Sequence, residues 1–370
     1  MRWQCVGICL AMSSVAEGVE TMRIALAQGD AEVNLAAPVL GEGADAEEAP
    51  FRLLASGRAR VNFVKGRLTV DGAAVVGDAV RFRAGAGAMD AGVPGHDPIR
   101  VGTREVRGDV VIRVHAGALQ TVNVLPLEDY LVAVLGSEMP RTFPDQALRA
   151  QAVSARTYAL RKKVDNLGEP FYLGAGVLSQ MYEGLRHEDE RTRDAVLATR
   201  GEVLTFDLEP IEAYFHASCG GRTESGLAAL NRDLPYLKPV ECPCGGLASS
   251  HWDLWVPPGE LETVLGVKSL GGLSVTSRTD TGRARLVALA GGRTLDAVTL
   301  RKRLGYQRFK SLAFDIEAFG GEGAVHFVGK GYGHGAGMCQ WGAKTYAEQG
   351  WDYRRILSHY YPGTELQTLY

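Results

Sequence analysis

The hydrophobic pattern of this 370-residue chain changes its period at Pro126, and that change most limits what the chain can fold into. From Met22 to about Asn123, short alternating segments rich in β-branched residues, such as RVNFVKGRLTVDG, are separated by glycines and predict β-strands. After Pro126, LPLEDYLVAVLGSEMP repeats its apolar residues at helical spacing and predicts an α-helix that Pro140 ends. We therefore predict an α+β fold.

A second helix is predicted in PDQALRAQAVSARTYALRKK, because an acidic residue lies near its start and a basic cluster closes it. Two terminal helices are predicted in CQWGAKTYAEQG and DYRRILSHYYPG. The predicted organisation has four parts: a leader at 1–21, a β-rich N-terminal region at 22–123, a mixed main domain at 124–256 and 317–370 that contains the helix pair, and a smaller inserted lobe at 257–316.

Composition excludes some classes of protein. The 46% of hydrophobic residues is ample for a core, and the net charge of -3 with scattered arginines offers no basic field for a nucleic acid. The N-terminal MRWQCVGICLAMSSVA has the pattern of a secretory leader and is too short to span a membrane, so we expect export and no transmembrane span. The alternative is that folding begins at Met22, after a leader or a mis-assigned start.

Glu138 falls at the end of the first predicted helix, where the negative pole of the helix dipole disfavours an ionised carboxylate. Breaks of a local rule are commonest at functional sites. The same field, with apolar neighbours Leu135 and Met139, should raise the pKa of this carboxyl towards the range that a general acid needs. A surface glutamate in a frayed helix end is the alternative.

Arg149 and Arg156 are seven residues apart on the second helix and therefore share one face. If that face lies over Glu138, the guanidinium groups could bind an anionic or hydroxyl-rich ligand. An exposed basic stripe is the alternative.

A zinc site is one of three predictions for four side chains whose donor atoms have suitable softness: His216, Cys219, Cys242 and Cys244. The H-x2-C spacing suits zinc, whereas C-x-C is tighter than usual. The other predictions are a disulfide from Cys219 to one of the other two cysteines, and free thiols. His251 is a substitute fourth ligand.

The segment GKGYGHGAGMCQWGAKTYAEQG has glycine at every second position from Gly329 to Gly337. Such alternation marks a place where another backbone or a ligand comes very close, and a tight barrel corner is the alternative. His334 is a candidate for orienting a substrate or an acid. Tyr332 and Gln340 offer the stacking and hydrogen-bonding surface that a sugar ring uses.

Five separated motifs of this sequence are similar, in the same order, to those of the stage II sporulation protein D and amidase-enhancer family. They are VNVLPLEDYLVAVLGSEMP, ALRAQAVSARTYAL, SQMYEG, YFHASCGGRTES and the glycine-rich segment as far as GTEL. The resemblance covers roughly residues 100 to 366 and is more specific than any single motif.

The resemblance implies a lytic transglycosylase of bacterial cell-wall glycan, with Glu138 of the SEMP motif as catalytic acid and base on a catalytic helix pair. In such enzymes the muramic sugar's own 6-hydroxyl attacks its anomeric carbon and gives a 1,6-anhydro end, so one carboxylate is sufficient where ordinary glycosidases need two. Glu128 and Asp129 lie on the order of 14 Å away along the helix and are explained by its dipole.

Seven residues are expected to bind the substrate: Arg149, Arg156, Gln180, Tyr182, Tyr332, His334 and Gln340. The family commonly has lysine at Arg149 and serine at Cys339, so the local contacts there are expected to differ. The alternating glycines would clear a groove wall so that a glycan strand can lie against the backbone, with Tyr332 and His334 projecting into it.

The partners implied are peptidoglycan glycan strands in the periplasm or cell envelope. The alternative function is a non-catalytic wall-binding protein that stimulates a cell-wall amidase; a third reading, a structural wall-remodelling partner, predicts that Glu138 is dispensable. The reaction requires no cofactor. Zinc bound by histidine and cysteine in some relatives makes a structural zinc a candidate here.

Overall fold

The computed structural model describes residues 19–30, 32–36, 39–42, 52–53, 57–83, 98–176, 179–289, 291–319 and 324–370. The predicted leader at 1–21 lies almost entirely outside these ranges. The predicted α+β class is confirmed, because helices and several sheets are both present. The chain divides into two compact units, the first ending at Asp129 and the second starting at Tyr130.

The first unit consists of strands, as its alternating segments predict. One of its sheets has the order β1–β12–β11–β8–β3–β4 and another the order β10–β9–β2–β5–β6–β7. Its strands are β1 (Thr21–Asp30), β2 (Glu32–Ala36), β3 (Val39–Glu42), β4 (Arg52–Leu53), β5 (Arg58–Val64), β6 (Arg67–Val70), β7 (Ala73–Ala74), β8 (Ala79–Arg83), β9 (Ile99–Val101), β10 (Arg104–Val106), β11 (Asp109–His115) and β12 (Ala118–Pro126).

Two helices follow these strands and confirm the predicted helix pair: α1 (Leu127–Glu138) and α2 (Asp145–Asp165). Alanine, the best helix former, recurs along α2 and leaves room for close neighbours. Nearly every α2 residue from Ala147 to Leu160 is buried, so α2 is the central helix of the second unit.

Some of the other helices and strands of the second unit pack around α2, and the rest form the inserted lobe. They are β13 (Leu173–Gly174), α3 (Glu190–Leu197), β14 (Glu202–Phe206), β15 (Glu209–Pro210), β16 (Phe215–His216), α4 (Gly226–Leu230), β17 (His251–Val256), α5 (Pro258–Leu265), β18 (Leu273–Arg278), β19 (Ala284–Leu289), β20 (Thr294–Asp296), α6 (Ala297–Leu304), β21 (Ala313–Phe319), β22 (Val325–Lys330), β23 (Met338–Cys339), α7 (Gln340–Glu348), α8 (Tyr353–Tyr360) and β24 (Glu365–Thr368).

The segment PIEAYFHAS departs from the prediction of a strand. Beyond Pro210 only Phe215–His216 forms a strand, with a single bridge from Ser218 to Tyr332, because Ala213 and Tyr214 donate their N–H groups to carbonyls just two residues earlier. These local bonds turn the backbone away from a ladder. The short β16 then pairs in parallel with β23, which follows the glycine-rich run.

A lobe with its own core is built from the sheets β17–β22–β21 and β18–β19–β20 with helices α5 and α6. Its buried apolar cluster extends from Trp252 to Phe327, which is wider than the predicted 257–316. The lobe begins and ends at neighbouring positions, since the Gly331 N–H donates to the Ser250 carbonyl at 2.6 Å.

No helix within the described ranges combines the length and the apolar composition needed to cross a bilayer.

Candidate active site and cysteine cluster

Glu138 is the last residue of α1 and is half-buried. Its Oε1 accepts a hydrogen bond of 2.5 Å from the Met181 N–H. Burial raises the pKa of the carboxyl from 4.5 to about 7, and the hydrogen bond opposes that rise only in part. The sequence predicts this direction from the helix dipole, whereas removal from water is the main cause in the structure. A carboxyl with this pKa can both donate and accept a proton near neutral pH.

The segment that carries Met181 is held in place by hydrogen bonds between buried polar groups. The Tyr130 hydroxyl donates to Gln180 Oε1 at 2.9 Å, and Gln180 Nε2 donates to the Ala155 carbonyl at 3.1 Å. The rings of Tyr130 and Tyr182 pack with centroids 5.3 Å apart. Gln180 and Tyr182, predicted to bind the substrate, are therefore buried on either side of Met181, where they hold its N–H towards Glu138.

Gly136 lets the end of α1 approach this same part of the chain. A Cβ on Gly136 would lie 2.0 Å from the His187 carbonyl oxygen, in the short 3-10 helix Gly184–His187. His187 Nε2 in turn lies 2.9 Å from Glu183 Oε2, within hydrogen-bond distance. Neither Gly136 nor Met181 is predicted from the sequence; the only signal for either is its place inside the motifs VNVLPLEDYLVAVLGSEMP and SQMYEG.

Two of the three arginines of α2 are predicted substrate contacts, and they lie in different surroundings. Arg156 is fully buried and donates to the carbonyls of Val196 and Glu202 at 3.1 and 3.2 Å, so it joins α2 to α3 and β14. Arg149 is half-buried. The hydrogen bonds of Arg156 give that side chain a structural explanation, and contact of either arginine with a substrate stays a prediction.

The glycine-rich run is filled by the protein itself, which corrects the expectation of a wall cleared for a ligand. Only Gly329 belongs to a strand, β22, and the next four glycines have positive φ. A Cβ on any of the five would meet an atom of the chain: the Trp252 ring at 2.3 Å from Gly329, Ser218 O at 2.6 Å from Gly331, His216 Cβ at 2.6 Å from Gly333, Arg283 Nη2 at 2.8 Å from Gly335 and Tyr214 O at 2.0 Å from Gly337.

Within that run, His334 and Tyr332 differ in accessibility. His334 Nδ1 accepts from the Ala336 N–H at 3.1 Å, which leaves Nε2 to donate to the Phe215 carbonyl at 3.0 Å. Burial lowers the pKa of His334 to about 4, so the ring is neutral at pH 7. The Tyr332 side chain is 39% exposed. Gln340 is buried, with Nε2 3.3 Å from Gln151 Oε1.

Four buried cysteine sulfurs form a second polar centre, in which all four Sγ atoms lie within 4.8 Å of one another. The fourth donor atom of the cluster is the sulfur of Cys339. The predicted ligand His216 instead has its Nδ1 3.0 Å from the Ala336 carbonyl oxygen. All four cysteines of the cluster are free thiols: Cys219, Cys242, Cys244 and Cys339.

Comparison with known proteins assigns the chain to a family. The sequence profile described as "Stage II sporulation protein" matches residues 115–206, which include α1, α2 and the Met181 segment. Stage II sporulation protein D of Bacillus subtilis (strain 168) is 34% identical over 283 residues, 70% of this chain and 79% of that protein. The protein of the same name from Bacillus amyloliquefaciens is 32% identical over 320 residues, covering 77% and 89%.

A protein named "Amidase enhancer" from Bacillus subtilis (strain 168) is 29% identical over 290 residues, 64% of this chain and 40% of that protein. The matches to the two sporulation proteins extend over most of both chains. The chain belongs to the stage II sporulation protein D family.

Proposed function

We propose that this protein is a peptidoglycan lytic transglycosylase that uses Glu138 as its single acid and base. The observation that carries the proposal is the half-buried Glu138 carboxyl, with a pKa raised to about 7 and one backbone N–H at 2.5 Å. Family membership supports a role in cell-wall processes.

In the proposed reaction the protonated Glu138 gives its proton to the glycosidic oxygen as the bond from the anomeric carbon to that oxygen breaks. The carboxylate then takes the proton of the muramic 6-hydroxyl, whose oxygen bonds to the same anomeric carbon. No water is consumed and Glu138 regains its proton. The Met181 N–H stabilises the carboxylate between the two steps.

Tyr332, with its partly exposed ring, is the predicted substrate contact that a glycan strand can reach without displacing buried hydrogen bonds. Arg149 is half-buried and remains a proposed contact. Gln180 and Tyr182 are buried on either side of Met181 and support the site from within. The proposal includes export, because glycan strands lie outside the cytoplasmic membrane.

The test is mass spectrometry of products from purified glycan strands, with and without stem peptides, incubated with wild type and with Glu138→Gln. The matched control is Glu183→Gln, which changes a carboxylate two residues from Met181 that lies within hydrogen-bond distance of His187. We expect anhydro-muramic ends from wild type and Glu183→Gln, and a loss of at least about 100-fold in Glu138→Gln. Products with reducing muramic ends would replace this proposal with hydrolysis.

The rate should fall as the pH rises through about 7, because the first step needs the protonated form of Glu138. A profile of kcat/KM against pH measures this limb. A rate that rises through the same interval would mean that Glu138 acts first as a base.

Amidase enhancement is the second candidate function, favoured by the similarity to the protein of that name. It predicts that a purified cell-wall amidase is stimulated equally by wild type and Glu138→Gln. Stimulation without any glycan cleavage by either protein would establish this function in place of the first.

A further inference from the structure

The four cysteines of the second unit form a cluster that the proposed reaction does not use. We propose that Cys219, Cys242, Cys244 and Cys339 bind one zinc ion through four thiolates and that this zinc is structural. The inference is independent of the proposed glycan cleavage.

The arrangement of the sulfurs fits tetrahedral zinc. A zinc–sulfur bond of about 2.3 Å implies sulfur atoms about 3.8 Å apart. Cys219 and Cys244 have their sulfurs 3.3 Å apart, those of Cys244 and Cys339 are 3.6 Å apart, and all pairs lie within 4.8 Å. In these two pairs a change of about 0.5 Å or less would give the separation that one zinc ion requires.

Hydrogen-bond donors converge on these sulfurs, as is usual around metal-bound thiolates. The N–H groups of Cys219 and Gly342 both donate to Cys339 Sγ at 3.3 Å. The Ser218 hydroxyl donates to Cys244 Sγ at 3.6 Å, and the Tyr360 hydroxyl lies 3.2 Å from Cys242 Sγ. Such donors stabilise thiolates, whereas four neutral thiols would have little use for them.

Glycines give the sulfurs room to meet. A Cβ on Gly342 would lie 2.3 Å from Cys242 Sγ, and a Cβ on Gly245 would lie 2.9 Å from the Cα of Gly221. The turn after Cys219 and the turn after Cys244 therefore touch through their backbones, and α7 begins against both. Close approach at the cluster explains these glycines.

The ligand set also defines the role of the metal. Four protein sulfurs fill a tetrahedral zinc and leave no position for water or substrate, which is the pattern of structural sites. The ligands come from three separate segments: the turn after β16, the 3-10 helix Pro243–Gly246 with the residue before it, and the end of β23, just before α7. Zinc would hold these segments together.

The experiment uses the full chain with Cys5 and Cys9 changed to serine, so that only the four cluster thiols remain. Metal content is measured by mass spectrometry after purification without added chelator. We expect about one zinc per chain. Cys339→Ser should lose most of it, while His216→Gln, the matched control from the earlier ligand prediction, should retain it.

Because Cys339→Ser could prevent folding, the same protein is also exchanged with Co²⁺ and its absorption recorded. Thiolate-to-cobalt charge-transfer bands of a tetrahedral four-sulfur site are expected, together with a lower Tm after chelation. Four thiols that react with an alkylating agent in protein without bound metal would overturn the proposal. So would disulfides among these cysteines, detected as a lower protein mass in samples kept without reductant. Zinc that His216→Gln removes and Cys339→Ser keeps would reassign the ligands.

Discussion

Two carboxylates of the second unit, Glu138 and Glu224, are removed from water in different ways. Glu224 is 2% exposed, accepts from the Ser225 N–H at 2.8 Å and from the Thr279 hydroxyl at 2.6 Å, and lies 3.8 Å from buried Arg283. Glu138 accepts one hydrogen bond from the described part of the chain and has no cation partner there. Glu224 is thus surrounded by donors and a cation, as a structural carboxylate is, whereas Glu138 is removed from water with a single donor and has a pKa raised to about 7.

The largest stability effect is expected from Glu224→Gln, which keeps the shape of the side chain and leaves Arg283 buried without its ion-pair partner. Breaking a buried pair in this way typically costs about 3 kcal/mol or more of the free energy of unfolding. Urea denaturation measures the change. Glycan cleavage per folded molecule should be unchanged, because Glu224 takes no part in the proposed reaction.

The control is Glu241→Gln, whose carboxylate is 3.4 Å from Arg222 with its side chain 79% exposed. An exposed pair contributes about 0 to 1 kcal/mol. Equal losses in the two variants would remove the contrast between buried and exposed pairing on which the comparison depends.

Glu138→Gln should act in the opposite direction and stabilise the protein at alkaline pH. A pKa raised from 4.5 to about 7 means that the folded state binds more protons than the unfolded state between these values, so its stability falls as the pH rises through them. The penalty for the ionised form corresponds to at most about 3 kcal/mol. Glutamine carries no such penalty.

The measurement is Tm of both proteins from pH 5 to pH 8.5, with Glu183→Gln as the control. The advantage of Glu138→Gln should be largest above pH 7 and shrink towards pH 5. A constant difference at every pH would show that ionisation of Glu138 is not the cause.

The smallest effect is expected from Tyr130→Phe, which removes the hydroxyl that donates to Gln180 Oε1. One buried acceptor without its donor costs about 1 to 3 kcal/mol, so the loss should lie at or below that of Glu224→Gln. Denaturation with Tyr332→Phe as an exposed control checks it. The alkaline limb of the rate profile should stay at its wild-type pH, since no hydrogen bond joins Tyr130 to Glu138. A shift of the limb would mean that the Tyr130 hydroxyl affects the pKa of Glu138.

How well the sequence predicts these sites depends on how far apart in the chain their residues lie. The end of α1, the raised pKa of Glu138 and the α+β class follow from local patterns, and all are found. Met181, which completes the site, is 43 residues from Glu138, and no spacing rule connects them. The sequence predicts His216 as the fourth donor because H-x2-C is a local signal, whereas the pairing of β16 with β23, which brings Cys339 to the cluster, is not local.

The glycine-rich run shows the limit of such local reasoning most clearly. Its alternation indicates a close approach correctly but does not reveal what approaches. Trp252, Arg283 and the β16 region, which lie far away in the sequence, occupy the space in question.

The position of the lobe between β16 and β23 has a consequence for how the chain folds. Cys219 and Cys339 are 120 residues apart, so their contact closes a long loop at an entropic cost. Once the lobe has folded on its own core, its ends meet at Ser250 and Gly331, and the loop left to close is roughly threefold shorter. That shortening lowers the closure cost by about 1 kcal/mol. We therefore expect the lobe to fold first and the C-terminal helices to dock last, after synthesis of the whole chain.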